Sequence, residues 1–409
     1  MNRRLVGLIL IFWVMALPAL ALTWQEATQI GAKNSYSLKS AAAQSENARW
    51  NYYQALTNFL PQLSANASVG NNIIGTTGTV TQGTGYGLSL SQTLFSGMDN
   101  YLNGLSTKND FESALANQRQ VEAQYYYDLR AAFIDLKMAE EDIAIYKEIL
   151  TRRESDSALI ELRFESGRED RGVLMRTKAD QDDATFNVVT AKRQRGLSNL
   201  KLNQLLSCEV EAVVLTGEAV LPPQPNYQEL FLQAPAMEMA WRKVATARYN
   251  QERTVKNFLP SVTLNGSYRM NDTNWPPQNA TNGWNLNLSY PFFSGGSNIT
   301  ARVAAGAQLD KAEQDFRQTR DTLMYQLQAA YEGLADALDA LRVADAFLKA
   351  MTQRAEIART KYLNGLISYD DWGRIENEYI NYKKSYNVKK KAAWLAEATW
   401  YKAWGGYIK

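Results

Sequence analysis

The sequence predicts an α+β membrane protein. Duplicated long-helix coiled-coil hairpins form an α-barrel, and four transmembrane β-strands per subunit contribute to a shared 12-stranded β-barrel, about the size that leaves an open lumen. Three observations carry this reading. The chain repeats itself once. Two long stretches contain no proline. Four short segments alternate polar and apolar residues.

The repeat is visible by eye. NFLPQLSANASVGNN (58–72) matches NFLPSVTLNGSYRMN (257–271), YGLSLSQTLFSG (86–97) matches WNLNLSYPFFSG (284–295), and RFESG (163–167) matches KYLNG (361–365). Each block lies 198 or 199 residues from its copy. A period this long marks a duplicated half-chain, not a solenoid. The first repeat spans residues 22–209 and the second 227–409. The segment 210–226, with Pro222, Pro223 and Pro225, joins them.

Residues 1–21 read as a secretory signal. Arg3 and Arg4 precede an apolar run, Leu5 to Leu17, and Ala19-Leu20-Ala21 suits cleavage before Leu22. No cysteine follows the cut, so no N-terminal lipid anchor is expected. Removing Arg3 and Arg4 leaves 42 basic against 42 acidic residues, which offers no global field for nucleic acid. No later stretch has 18 consecutive apolar residues, so a membrane span must be made of strands.

Each half then reads helix, strand, loop, strand, long helix, break, helix. The leading helices are expected over Trp24–Thr57 and Tyr227–Asn257. The strands are expected at about 62–72, 86–94, 261–271 and 284–292. In them Leu63, Val69, Leu88, Leu90, Val262, Leu264, Leu286 and Leu288 share one face. Ser64, Asn66, Ser89, Asn265, Arg269, Asn285 and Asn287 share the other. The apolar face carries no charge, and aromatics sit toward strand ends, as lipid and its interface require. The polar face suits a wet lumen, with Arg269 its only charge. A soluble sheet with one face on a core also alternates. Four strands cannot close a membrane barrel, because about eight is the minimum, so subunits must share one.

The long helices are expected over Met98–Ser166 and Ser297–Asn364. Leu129, Ala132, Leu136, Ala139, Ile143, Tyr146 and Leu150 recur at three and four residues, which is a coiled-coil seam. Leu327, Ala330, Leu334, Leu338 and Leu341 repeat it. An antiparallel coiled coil and a helical tube both need this seam. Helix breaks fall at Gly167 and Gly365, each three residues after an aromatic, Phe164 and Tyr362. Acidic residues collect there: Glu165, Glu169, Asp170, Asp370 and Asp371. In a ring of subunits they favour cations. Closing helices are expected over Arg171–Leu206 and Tyr369–Trp404.

Histidine is absent and Cys208 is the sole cysteine. The commonest general base, the commonest zinc ligand and any intrachain disulfide are therefore missing. No phosphate loop or nucleophile elbow is present. No catalytic site, cofactor or metal site is expected. A soluble periplasmic coiled-coil adaptor or adhesin stays open as the alternative, and it predicts extraction without detergent.

The paired LPxL-to-FSG hairpins, the duplicated halves and the aromatic-x-x-Gly turns resemble the TolC family of outer-membrane efflux proteins, in its non-lipidated members. The resemblance covers the chain after residue 21. It implies a homotrimer in the outer membrane of a Gram-negative bacterium, with a twelve-stranded barrel in lipid and a tunnel across the periplasm. It implies a periplasmic adaptor (membrane fusion) protein and an inner-membrane pump as partners, in efflux or type I secretion. It places the periplasmic entrance and adaptor contact at the helix tips: Phe164, Gly167, Glu169 and Asp170, with Tyr362, Gly365, Asp370 and Asp371. Val173 stands where many members have an acid, and Ile367 where some carry a tip arginine.

Overall fold

The computed structural model describes residues 22–74, 79–210, 212–215, 217–273 and 275–408. The expected signal segment lies outside them. In chain order the elements are β1 Leu22–Thr23, α1 Trp24–Asn34, α2 Tyr36–Thr57, β2 Gln62–Ile74, β3 Thr79–Phe95, α3 Asp99–Glu165, α4 Arg171–Leu206 and β4 Val213–Val214. The second half has α5 Tyr227–Gln233, α6 Pro235–Arg253, β5 Ser261–Asp272, β6 Asn279–Ser289, α7 Ser297–Leu363 and α8 Tyr369–Ala403. A 3-10 turn, Thr254–Phe258, leads into β5.

The duplication is structural. α3 and α7 have 67 residues each, a length of about 100 Å at 1.5 Å per residue. Both leave the sheet through two consecutive left-handed residues, Gly97 and Met98 in one half and Gly295 and Gly296 in the other. Both leading helices are broken, contrary to the single helices expected over Trp24–Thr57 and Tyr227–Asn257. The breaks fall at Ser35 and Ala234, matching positions of the two repeats. Ser35 caps α2 through its side chain, and Pro235 opens α6, where its missing N–H costs nothing.

The large sheet runs β2-β3-β5-β6, all antiparallel. β3 and β5 join the repeats, so β2 and β6 are its two edges. Three expected boundaries are corrected. β2 and β3 run past the expected 62–72 and 86–94, because Gly70–Ile74 pairs with Thr79–Gly83 although that stretch barely alternates. β6 begins earlier and ends earlier than the expected 284–292. Pro291 has no N–H for the ladder and restricts Tyr290 before it, so Tyr290, Phe292 and Phe293 lie beyond the strand.

The helices pack in a single layer. Toward the tips the order is α4, α3, α8, α7, and nearer the sheet it is α2, α3, α6, α7. The seam residues Leu129, Ala132, Leu136, Ala139, Leu327 and Leu334 are buried. Past Ala139 the seam drifts: Ile143, Tyr146 and Leu150 are half-buried, and Ile149 is buried in their place. A straight helix slips against a strict heptad, which explains the drift.

The joining segment is more than a linker. Val213–Val214 pairs in parallel with Leu22–Thr23, the Tyr331 hydroxyl donates to the Pro222 carbonyl at 3.1 Å, and Glu397 accepts from the Val220 N–H at 3.2 Å. This strap closes a core in which Trp24 meets Phe133 edge-on at 5.9 Å. Cys208 borders the same core, half-buried and with its thiol pKa raised by burial.

Candidate channel mouth and barrel wall

Both tips are built by the same cap. Gly167 (φ 72°) and Gly365 (φ 73°) take the left-handed conformation that ends a helix. The Arg168 N–H reaches the Arg163 carbonyl at 2.8 Å, and the Leu366 N–H reaches that of Lys361 at 2.9 Å. The next helices start on side-chain caps. Asp170 accepts from the Gly172 and Val173 N–H groups. Ser368 accepts from the Asp371 N–H at 3.1 Å and donates to the Asp371 carboxylate at 2.8 Å. These bonds and Arg374 hold the Asp371 carboxyl below its usual range.

The two tips interlock within one chain. Tyr362 is buried (1% exposed) and stacks on Trp372 with ring centroids 4.6 Å apart. Arg163 lies over the Tyr362 ring at 4.3 Å and donates to the Tyr362 and Leu363 carbonyls at 3.2 and 3.1 Å. One guanidinium thus caps the end of α7 while stacking on it. The Tyr362 hydroxyl donates to Glu169. Burial and that carboxylate raise the Tyr362 pKa. Outside this clasp, Arg176 reaches Asp370 at 3.4 Å.

Behind the clasp, α3 and α8 are stitched by charge. Asp135, Glu141, Asp142, Glu148 and Arg152 of α3 meet Lys391, Lys390, Asn387, Lys383 and Glu376 of α8 in antiparallel order. The innermost pair is bidentate: Arg152 Nε and Nη2 reach the Glu376 oxygens at 2.6 and 2.8 Å.

Asp156 lies beside this pair, buried, with Arg359 at 3.7 Å. Burial first, then the Glu376 charge, push its carboxyl up to about 6, against the pull of Arg359, Arg153 and Arg152. The folded chain therefore holds this proton more tightly than the unfolded chain does. Asp156 weakens the fold above about pH 6 and has no effect below about pH 4. Asp156→Asn is expected to raise the thermal midpoint at about pH 7.5 and to leave it unchanged at about pH 4. A lower midpoint at the higher pH would show that the Arg359 bridge outweighs burial.

The polar face of the sheet forms continuous rows. Ser64, Ser89 and Ser267 stand in one row, with the Ser64 and Ser89 hydroxyls 2.7 Å apart. Gln62, Ser91, Asn265 and Asn285 form the next, and Ser91 donates to the Asn265 side chain at 3.0 Å. Asn66, Gly87, Arg269 and Thr281 form a third, and Asn287 faces Thr263. On the other face Leu63, Val69, Leu88, Leu90, Tyr268, Trp284, Leu286 and Leu288 are all exposed, so no core covers it. No described helix is long and apolar enough to cross a membrane. The chain thus combines a bare apolar sheet face with helices about 100 Å long.

A family model described as outer membrane efflux protein matches residues 29–207 and again 226–406, once per repeat. The chain belongs to the outer membrane efflux protein family. It is a subunit of an efflux channel in the outer membrane of a Gram-negative bacterium, with its helical part in the periplasm. Solved structures share its fold. The outer membrane protein VceC of Vibrio cholerae is 16% identical, with 94% of this chain and 97% of that chain covered and a TM-score of 0.82. The CmeC outer membrane channel of Campylobacter jejuni is 18% identical, with 94% and 86% covered and a TM-score of 0.83. The open state of the MtrE outer membrane channel of Neisseria gonorrhoeae is 18% identical, with 94% and 89% covered and a TM-score of 0.82. No curated protein matches by sequence.

In this efflux channel subunit the expected tip residues do come together, but not as equivalents. Tyr362 is the buried centre of the clasp, whereas its repeat partner Phe164 is 38% exposed at the rim. Of the acids, Asp170 caps α4, Asp371 is held by Ser368 and Arg374, and Glu169 turns inward to Tyr362, while Glu165 and Asp370 stay exposed, the Asp370 side chain 83% so. Trp372, Arg163 and the α3–α8 charge ladder were not anticipated. The run Lys389-Lys390-Lys391 was the available signal, since Lys390 and Lys391 meet Glu141 and Asp135.

Proposed function

We propose that three copies of the chain close one 12-stranded barrel and one helical tunnel, a passive exit duct with no residue doing covalent chemistry. The observation that carries this reading is the open sheet. β2 and β6 have free edges beside an uncovered apolar face, and unpaired strand edges in lipid cost several kcal/mol per group. Pairing β6 of one copy with β2 of the next removes every edge, and about 12 strands leave a lumen.

The flanking helices support the same arrangement. Met175, Phe186, Val189, Leu197 and Leu200 are exposed on α4, within about 80° of one another on a helical wheel. Ile299, Val303, Tyr325, Val343, Phe347 and Ile357 are exposed on α7, within about 120°. These stripes lie on the two outer helices of the layer, where neighbouring copies meet.

The tips Phe164, Gly167, Glu169, Asp170, Tyr362, Gly365, Asp370 and Asp371 then form the periplasmic entrance. A periplasmic adaptor docks there and an inner-membrane pump supplies the energy. Opening is a sliding apart of the α3/α4 and α7/α8 pairs. The purified protein in a planar bilayer is expected to give uniform unitary currents, with a cation preference that Asp370→Asn reduces. An unchanged preference would remove Asp370 from the mouth, and an absence of unitary currents would remove the channel.

A further inference from the structure

The two hairpins are nearly without charge. Residues 62–95 contain no Lys, Arg, Asp or Glu, and residues 261–289 contain only Arg269 and Asp272. These two have different fates. Asp272, at the end of β5, organises the following loop. Its carboxylate accepts from the Thr273 N–H at 2.7 Å, from the Gln278 N–H at 3.2 Å and from the Asn279 side chain at 3.2 Å. Arg269 is exposed on the polar face. Its neighbours across the strands are Gly87 and Thr281, and along its own strand Ser267 and Asn271. All are neutral.

Gly87 makes room for it. A Cβ added there would stand 2.9 Å from the Arg269 Cγ and 2.8 Å from the Tyr268 carbonyl. The arginine stem therefore lies where any other residue at position 87 would crowd it. Arg269 is the ninth of the 12 residues of β5, near the loop end and far from the helices.

We propose that Arg269 makes the outer part of the barrel an anion-favouring filter, so that the cargo of this channel is anionic or neutral organic solute. This inference rests on the closed three-copy barrel above. Twelve strands about 4.8 Å apart and tilted about 40° give a wall radius of about 12 Å. An arginine reaching about 6 Å inward leaves the guanidinium about 6 Å from the axis, inside the Debye length of about 8 Å at physiological salt. Three such groups, permanently charged, set the potential across the whole lumen at that level. The tip carboxylates stand at the far end of helices about 100 Å long, well beyond a Debye length, so the cation preference of the mouth and this filter act at separate levels of the duct.

The test uses purified trimer in planar bilayers, with pyrophosphate added to either chamber. Wild-type channels are expected to be blocked by pyrophosphate from the barrel side. Arg269→Gln is expected to weaken that block at least tenfold and to shift the zero-current potential in a KCl gradient toward potassium. Arg269→Lys keeps the charge and is expected to keep the block. A conducting wild-type channel that pyrophosphate leaves open from both sides overturns the filter and keeps the duct. So does a conducting Arg269→Gln channel with unchanged block. Protein that forms no trimer and no unitary current overturns the barrel and the filter together.

Discussion

Arg152→Met is expected to destabilise the helical part by about 3–5 kcal/mol, because it strands a buried carboxylate. Glu376 is 2% exposed on its side chain, and both its oxygens are held by the Arg152 fork. The same guanidinium sits 4.8 Å over the Tyr379 ring, so the substitution also removes a stacking contact. Removing both partners is different. Arg152→Met with Glu376→Leu leaves no charge to desolvate, and apolar replacements of buried pairs are often neutral. The double variant is therefore expected to recover most of the loss. Thermal unfolding of the detergent-solubilised protein measures all three variants. Losses that simply add would show that the pair is not coupled. The pair also ties the first-half helix α3 to the second-half helix α8, so the single variant is expected to conduct more than wild type.

Trp372→Ala is expected to cost a similar amount, about 3–5 kcal/mol, by emptying the centre of the tip. Trp372 is among the largest fully buried side chains, packed with Ile160, Ala358, Tyr362 and Tyr369. Its loss leaves the Tyr362 ring without its stacking partner and loosens both turns. Trp372→Phe is expected to cost far less. The indole N–H is buried without a hydrogen-bond partner among the described residues, so losing it relieves a penalty of about 1–3 kcal/mol. Limited proteolysis near Gly167 and Gly365 separates the outcomes: fast cleavage in the alanine variant and near wild-type resistance in the phenylalanine variant. Equal resistance in both would mean that the clasp does not hold the tip.

The large elements were legible in the sequence because each has a local cause. Proline is absent from the long helices, glycine ends them at 167 and 365, and alternation marks the strands. What was not legible depends on distant partners. Asp135 and Lys391 are 256 positions apart, and nothing local to either says that they meet at 2.6 Å. The breaks at Ser35 and Ala234 depend on a serine cap and a proline at a helix start, signals outweighed by the helical pattern around them. The early start of β6 at Asn279 is set by pairing with Asn271. The asymmetry between Phe164 and Tyr362 shows the limit most clearly. The repeat makes them equivalent, while packing buries only the one that faces Arg163 and Trp372.

The central claim, that open sheet edges make copies of this chain complete one another, is tested most directly by the native mass of the detergent-extracted protein. Three copies per particle, extracted from the outer membrane and only with detergent, is the expected result. A single copy, or protein released without detergent, would contradict the shared barrel.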